Sequence, residues 1–247
     1  MKTIIGYIKQ YAEEVSRRTF IIVTVFTGVL VFINYRLGLD DLVRKNSWGI
    51  KLTGWYLVFA AAFILPWLLT GILKKVYTVR PALIVLLLLA PLLFALKITF
   101  NISITFSADE GWNNYWNHIT YWPLLTVIIG LALLIIWRIF HPREPFYGIK
   151  TKGIDWKPYF MMLLIMLPLI ALASTQKDFL SVYPKLQSIE NMPGIENMSW
   201  WHKLLYEISY GTDFITIEFF FRGFLVLAFV KWAGKDVILP MACFYCS

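Results

Sequence analysis

Charge is what this 247-residue chain has least of: Asp, Glu, Lys and Arg make up 15% of it, where a soluble domain carries about 25%. So few ionisable groups cannot coat a water-facing surface, which excludes an ordinary soluble globular domain. Cysteine is nearly absent. Cys243 and Cys246 are the whole complement, so there is no disulfide framework. A single Cys-x-x-Cys with neither a preceding strand nor a second pair reads as two small packing residues rather than redox or metal chemistry. Histidine is equally thin: His118, His141 and His202 never fall at the i, i+4 spacing of helical metal ligands, and each reads as a solvated residue. The net charge is +8, but no basic patch interleaves with a folded polar surface, which excludes nucleic acid as a partner. No small-x-small cleavage site follows the first apolar run, so that run reads as a retained helix, not a signal peptide. Internal repeats and low-complexity tracts are also missing.

What is present is apolar: 59% of residues are hydrophobic and 17% aromatic. The pattern predicts an all-α, polytopic transmembrane helix bundle. Charge-free runs long enough for about 30 Å of hydrocarbon fall at Thr19–Tyr35, Leu52–Leu73, Pro81–Leu96, Ile119–Trp137 and Pro158–Gln176, with a sixth near Leu204–Val230. Val237–Ser247 begins a seventh; at 1.5 Å per residue it reaches only about 17 Å, so the chain looks C-terminally truncated. Residues 1–18 form a unit of their own, an amphipathic interfacial helix with Ile4, Ile5, Ile8, Tyr11, Ala12 and Val15 at helical spacing. Residues 19–247 form the bundle.

Loop charges set the expected orientation. With the N-terminus inside, fourteen Lys and Arg fall in cytoplasmic segments (Lys2, Lys9, Arg17, Arg18; Lys74, Lys75, Arg80; Arg138, Arg143, Lys150, Lys152, Lys157; Lys231, Lys235) against eight outside. That excess predicts a multi-pass protein of the cell (inner or plasma) membrane with a cytoplasmic N-terminus. Trp112, Tyr115, Trp116, Tyr121 and Trp122 read as an interfacial aromatic belt ahead of the fourth span. Gln187–Ser199, with Pro193 and Gly194, reads as an external loop. Asn101-Ile-Ser103 and Asn197-Met-Ser199 match the glycosylation triplet, which has meaning only in a secretory pathway.

One stretch breaks the apolar pattern. Ile217-Glu218-Phe219-Phe220-Phe221-Arg222-Gly223 places a carboxylate and a guanidinium at expected membrane depth. Each costs roughly 2.5–3.5 kcal/mol to insert, which makes such a pair a functional-site hypothesis by default. On a helix Glu218 and Arg222 lie one turn apart on one face, and Glu207 falls near the same azimuth three turns earlier. Gly223 removes a side chain beside Arg222 and allows another helix to approach closely. The plainest alternative is a buried ion pair that only locks helix packing.

The stretch Glu218-Phe219-Phe220-Phe221-Arg222-Gly223, the basic turn Lys231-Trp-Ala-Gly-Lys235 and the apolar Val237-Ile-Leu-Pro-Met-Ala-Cys-Phe together resemble the first motif region of the CPBP family. These are the CAAX-processing and bacteriocin-processing (Abi-type) intramembrane metalloproteases, which include the CAAX prenyl proteases. The resemblance covers about residues 205–247. It implies a helical bundle with a membrane-embedded divalent metal, usually zinc, and hydrolysis of a peptide or membrane-protein substrate in or near the bilayer. It also implies that Arg222 orients the motif carboxylate and that Glu218 matches the second motif glutamate. The place of the first glutamate, usually the general base, holds Ile217; Asp213, one turn earlier, is the speculative replacement carboxylate. Phe244 lies where the second motif begins, and its histidine is expected after Ser247. This stretch therefore supplies no metal ligands, and by itself is expected neither to bind metal nor to cleave. Two other readings stay open: a non-catalytic CPBP-like scaffold or immunity protein, to which Ile217 points, and a small transporter, to which Pro66, Pro91 and Pro168 point.

Overall fold

The computed structural model describes residues 4–38, 43, 45–74, 80–149, 153, 156–190, 192, 193, 195 and 198–246. Lys2, Arg44, Lys75, Lys150 and Lys152 of the loop charges lie outside the described residues, as do Gly194, Asn197 and Ser247. Every regular element among the described residues is helical. They are α1 (Ile4–Glu14), α2 (Arg17–Leu37), α3 (Trp48–Lys74), α4 (Pro81–Thr99), α5 (Glu110–Phe140), α6 (Lys157–Ala173), α7 (Lys177–Val182), α8 (Gln187–Glu190), α9 (Trp200–Glu218), α10 (Val230–Ala233) and α11 (Ile238–Cys246). A π-helical segment, Phe219–Leu227, follows α9 directly.

Among the described residues four helices are long and apolar enough to cross a membrane: Arg17–Leu37, Trp48–Ile72, Pro81–Thr99 and Glu110–Phe140. Their ends follow local rules. Ser16 caps α2 through its side chain, and Gly38 closes it in a left-handed conformation with its N–H on the Asn34 carbonyl. Pro81 opens α4 at the first turn, where its missing N–H costs nothing. Helices α3 and α4 continue through Pro66 and Pro91. The fifth and sixth expected spans are built differently. Helix α6 is apolar on all sides and exposed along its length, from Tyr159 at 62% to Leu172 at 66%. The sixth run does not form one regular α-helix: it changes from α to π after Glu218.

The chain divides into two units. The first takes residues 1–101, 129–148 and 217–247. Helices α3 and α4 pair along their length, and α11 packs beside α3 and α2. Its core is aromatic: Phe94 on α4 lies 5.0 Å from Phe59, 5.3 Å from Phe220, 5.1 Å from Phe221 and 5.4 Å from Phe244, ring centre to ring centre. Val15, Val23, Leu239 and Cys243 form a smaller core where α1, α2 and α11 meet. Glu14 of α1 forms an ion pair with Lys235. Cys243 is buried and Cys246 exposed, both as free thiols.

The second unit takes residues 102–128 and 149–216. Its core is Tyr115, Leu186, Ile189, Ile195 and Tyr206, flanked by Trp112, Trp116 and Trp122. The expected aromatic belt is thus in part a packed core, and α5 begins at Glu110, well ahead of the expected Ile119. Hydroxyl groups stitch α5 to α9. Tyr115 donates to the His202 carbonyl at 2.8 Å, Ser209 to the Ile119 carbonyl at 2.8 Å and Thr126 to the Thr212 carbonyl at 3.1 Å. Thr126 and Thr216 also share a hydroxyl–hydroxyl bond of 2.7 Å. Between apolar helices such bonds average about 0.6 kcal/mol and reach about 1.7.

Ser209→Ala and Thr126→Val are therefore each expected to lower stability in detergent by about 0.5–1.5 kcal/mol. Thr53→Val is expected to leave it unchanged, because Thr53 bonds only the Gly49 carbonyl of its own helix. Unfolding midpoints of the three variants check this.

Candidate functional site

The motif stretch owes its shape to where its phenylalanines must go. Phe220, Phe221 and Phe224 are 1%, 3% and 0% exposed. Phe220 and Phe221 close on Phe94 and Phe244. Phe220, Phe221, Phe224 and the fully buried Leu225 span about 140° of an α-helix but only about 115° of a π-helix, so the widened turn narrows the face that must be buried, and π turns occur often at functional sites. With the rings inward, Glu218 and Arg222 face outward. Arg222 Nε lies 2.8 Å from Glu218 Oε2, and their side chains are 70% and 47% exposed respectively. The expected pair is formed. Both side chains point away from the aromatic core.

Ile217 is half-buried beside this pair in sequence. Asp213 lies one turn earlier on α9, half-buried, within electrostatic reach of the phenols of Tyr121 and Tyr210. Glu207 is exposed.

A short turn, not the expected helix, reaches the motif at Gly223. A Cβ built there would lie 3.3 Å from both the Cβ and the carbonyl oxygen of Tyr147, and 3.2 Å from Phe219 Cδ2. Tyr147 belongs to a short turn, Phe146–Gly148, and holds the left-handed conformation at φ 40°, ψ 47°. A non-glycine residue there is strained and marks a place that surrounding packing dictates. Phe146 and Tyr147 both face Phe219, at 5.1 and 6.1 Å.

Beside Tyr147 sits a group the sequence placed in solvent. His141 is 2% exposed, not solvated. Its ring is 6.1 Å from those of Tyr147 and Trp232. Neither ring nitrogen has a hydrogen-bond partner, nor has the buried Tyr147 hydroxyl; the Ala228 carbonyl faces the imidazole without bonding geometry. Each such group costs on the order of 1–3 kcal/mol. Burial, helped by the nearby Lys231 ammonium, pushes the imidazole below its usual range, against the opposing pull of Glu144 and the Ala228 carbonyl. Burial likewise raises the Tyr147 hydroxyl, with Glu144 adding to it. The signal for this pocket was His141-Pro142-Arg143-Glu144-Pro145-Phe146-Tyr147-Gly148: two prolines and a glycine fold the loop back tightly after a long helix.

The other histidines are held by local bonds. His118 Nδ1 is 2.8 Å from the Asn114 carbonyl, and His202 Nδ1 is 2.6 Å from Ser199 Oγ. Both belong to the second unit, and His141 to the first. Among the described residues no three His, Cys, Asp or Glu side chains gather as a metal site. The described residues do not fit the zinc site that the resemblance implies.

Two outcomes follow. Gly223→Val is expected to destabilise the protein by about 1–3 kcal/mol through overpacking against Tyr147. Gly130→Val is expected to be neutral within about 0.5 kcal/mol, because a Cβ at Gly130 meets nothing within 4 Å. For His141, the folded-state value lies below the unfolded one near 6.5. Its contribution is therefore complete above pH about 6.5 and lost as pH falls through the lower, folded-state value. Unfolding midpoints measured downward from pH 7 should fall more steeply for the wild type than for His141→Phe.

No family model matches the sequence, and no curated protein and no solved structure matches it either.

Proposed function

We propose that this chain carries the first-motif region of a multi-pass, membrane-embedded metalloendopeptidase of the CPBP or CAAX-protease type. In this reading six segments span the bilayer, Val237–Ser247 begins a seventh, and the N-terminus is cytoplasmic. The Glu218–Arg222 bridge carries the reading. It stands on a π turn, free of the packing core, with Gly223 receiving the Tyr147 turn beside it. An outward-facing carboxylate held by a guanidinium is a group positioned for chemistry rather than for packing. Arg222 orients the Glu218 carboxylate, and Asp213 stands in for the glutamate that Ile217 replaces. Among the described residues no cluster of His, Cys, Asp or Glu is placed to hold the zinc that this activity requires. The partners of the completed enzyme are the lipid bilayer and a peptide or membrane-protein substrate of leader-peptide or prenylated type.

Ile217 favours a second reading, a non-catalytic membrane scaffold of the same family, since isoleucine cannot accept a proton. The coding frame downstream of Ser247 separates the two. The protease reading expects two intramembrane histidines with an Asn or Asp one turn away, and about one zinc per chain by elemental analysis. A frame without those imidazoles, or a purified protein without zinc, leaves the scaffold. In the zinc-loaded protein, Asp213→Asn is expected to slow peptide hydrolysis at least about 10²-fold with bound zinc unchanged. An unchanged rate removes Asp213 from the mechanism.

A further inference from the structure

The corner between α1 and α2 holds a cleft of about 550 Å³, lined by Tyr11, Ala12, Val15, Arg17, Phe20 and Ile21. Its walls are apolar apart from the Arg17 stem and head. Arg18 stands next to Arg17, and both are exposed at the first turn of α2, which carries no acidic residue. Two guanidinium groups at the positive end of a helix are unfavourably placed unless an anion answers them. The nearby acids do not. Glu14 is committed to Lys235. Glu13 lies roughly 100° from Ala12 and roughly 160° from Tyr11 round α1, at about 100° per residue, off the face that lines the cleft. Asp236 acts instead on Tyr11, whose hydroxyl is turned away into the protein and pushed up to about 12 by burial and by that carboxylate.

The cleft also has an apolar outlet. Phe20 and Ile21 continue into Val25, Val29 and Phe32, which are 61%, 49% and 67% exposed along α2. That stripe lies on a helix apolar and long enough to cross a membrane. The two cations therefore sit at the boundary where the apolar stretch begins. A ligand that satisfies both ends has an anionic head at Arg17 and Arg18 and a hydrocarbon chain along Phe20, Ile21 and Val25.

We infer that this cleft is a binding site for one anionic diacyl phospholipid, its phosphate held by Arg17 and Arg18 and an acyl chain lying between α1 and α2. A zwitterionic lipid offers the same chains, but its ammonium offsets the phosphate charge. Selectivity thus comes from net headgroup charge at two nearby cations, and retention comes from the cleft.

The test uses the purified full chain in mixed micelles containing equal dioleoylphosphatidylglycerol and dioleoylphosphatidylcholine, with retained lipid counted by native mass spectrometry. The wild type should keep one phosphatidylglycerol with about tenfold preference, and its unfolding midpoint should rise as that lipid is added. Arg17→Gln combined with Arg18→Gln should bring the preference close to one. Ala12→Trp, which fills the cleft from an exposed position, should reduce retention of either lipid. Arg143→Gln, an exposed cation elsewhere, should leave the preference intact. A wild-type preference near one overturns the proposal without recourse to any variant. So does loss of preference in Arg143→Gln equal to that in the double variant, or retention in Ala12→Trp equal to wild type, either of which means diffuse attraction without a cleft. Inorganic phosphate raising the midpoint as far as the lipid does would place a free anion there instead, and would equally overturn it.

Discussion

The packing of aromatic rings around Phe94 is the constraint on which the rest of the first unit depends. Between helices in lipid there is little hydrophobic drive to associate, so close van der Waals fit and ring-edge contacts must hold the elements together. Phe94 brings α3, α4, the π segment and α11 to one point through Phe59, Phe220, Phe221 and Phe244. Everything distinctive about the motif follows from satisfying that point. The rings turn inward, the turn widens, and the charged pair is left outside the core.

The widened turn has a readable signature in burial. Along an α-helix, at 100° per residue, Leu225 would share the outward face of Glu218; along a π-helix, at roughly 82° per residue, it falls on the opposite side and Leu227 takes its place. Leu225 is 0% exposed and Leu227 is 36% exposed. The same geometry presents Gly223 to Tyr147, whose turn closes over His141. The buried imidazole and the outward ion pair are thus two consequences of one packing arrangement.

Much of the helix layout was legible because hydrocarbon thickness leaves a plain mark: charge-free runs located α2, α3 and α4 closely, and Pro81 opens α4 where the sequence placed it. The extension of α5 back to Glu110 was not legible. Its first turns are rich in Asn and Trp, and their polarity reads as loop. In the fold those asparagines serve the segment before the helix: Asn113 accepts the Phe106 N–H at 2.7 Å, and Asn117 bonds both the N–H and the carbonyl of Ile104 at 2.8 Å. The Glu218–Arg222 pair was legible from spacing alone. The π turn was not, since i, i+4 neighbours meet in either geometry. Nor was the burial of His141, which depends on Tyr147 and on Trp232, about 90 residues away in sequence; hydropathy carries no information on such contacts. The proposed catalytic role rests on the motif resemblance and on the outward pair, and the ligand set its metal chemistry needs does not gather among the described residues.

The central claim is that aromatic packing holds residues 219–227 in a π geometry that turns Glu218 and Arg222 out of the core. Spin labels placed singly at each position from 217 to 228, in a background lacking Cys243 and Cys246, would report accessibility to polar and apolar relaxation agents in a bilayer. The account predicts a repeat close to 4.4 residues, with positions 218, 222 and 227 accessible and 225 protected. A repeat of 3.6 residues, with position 225 accessible alongside 218 and 222, would contradict it.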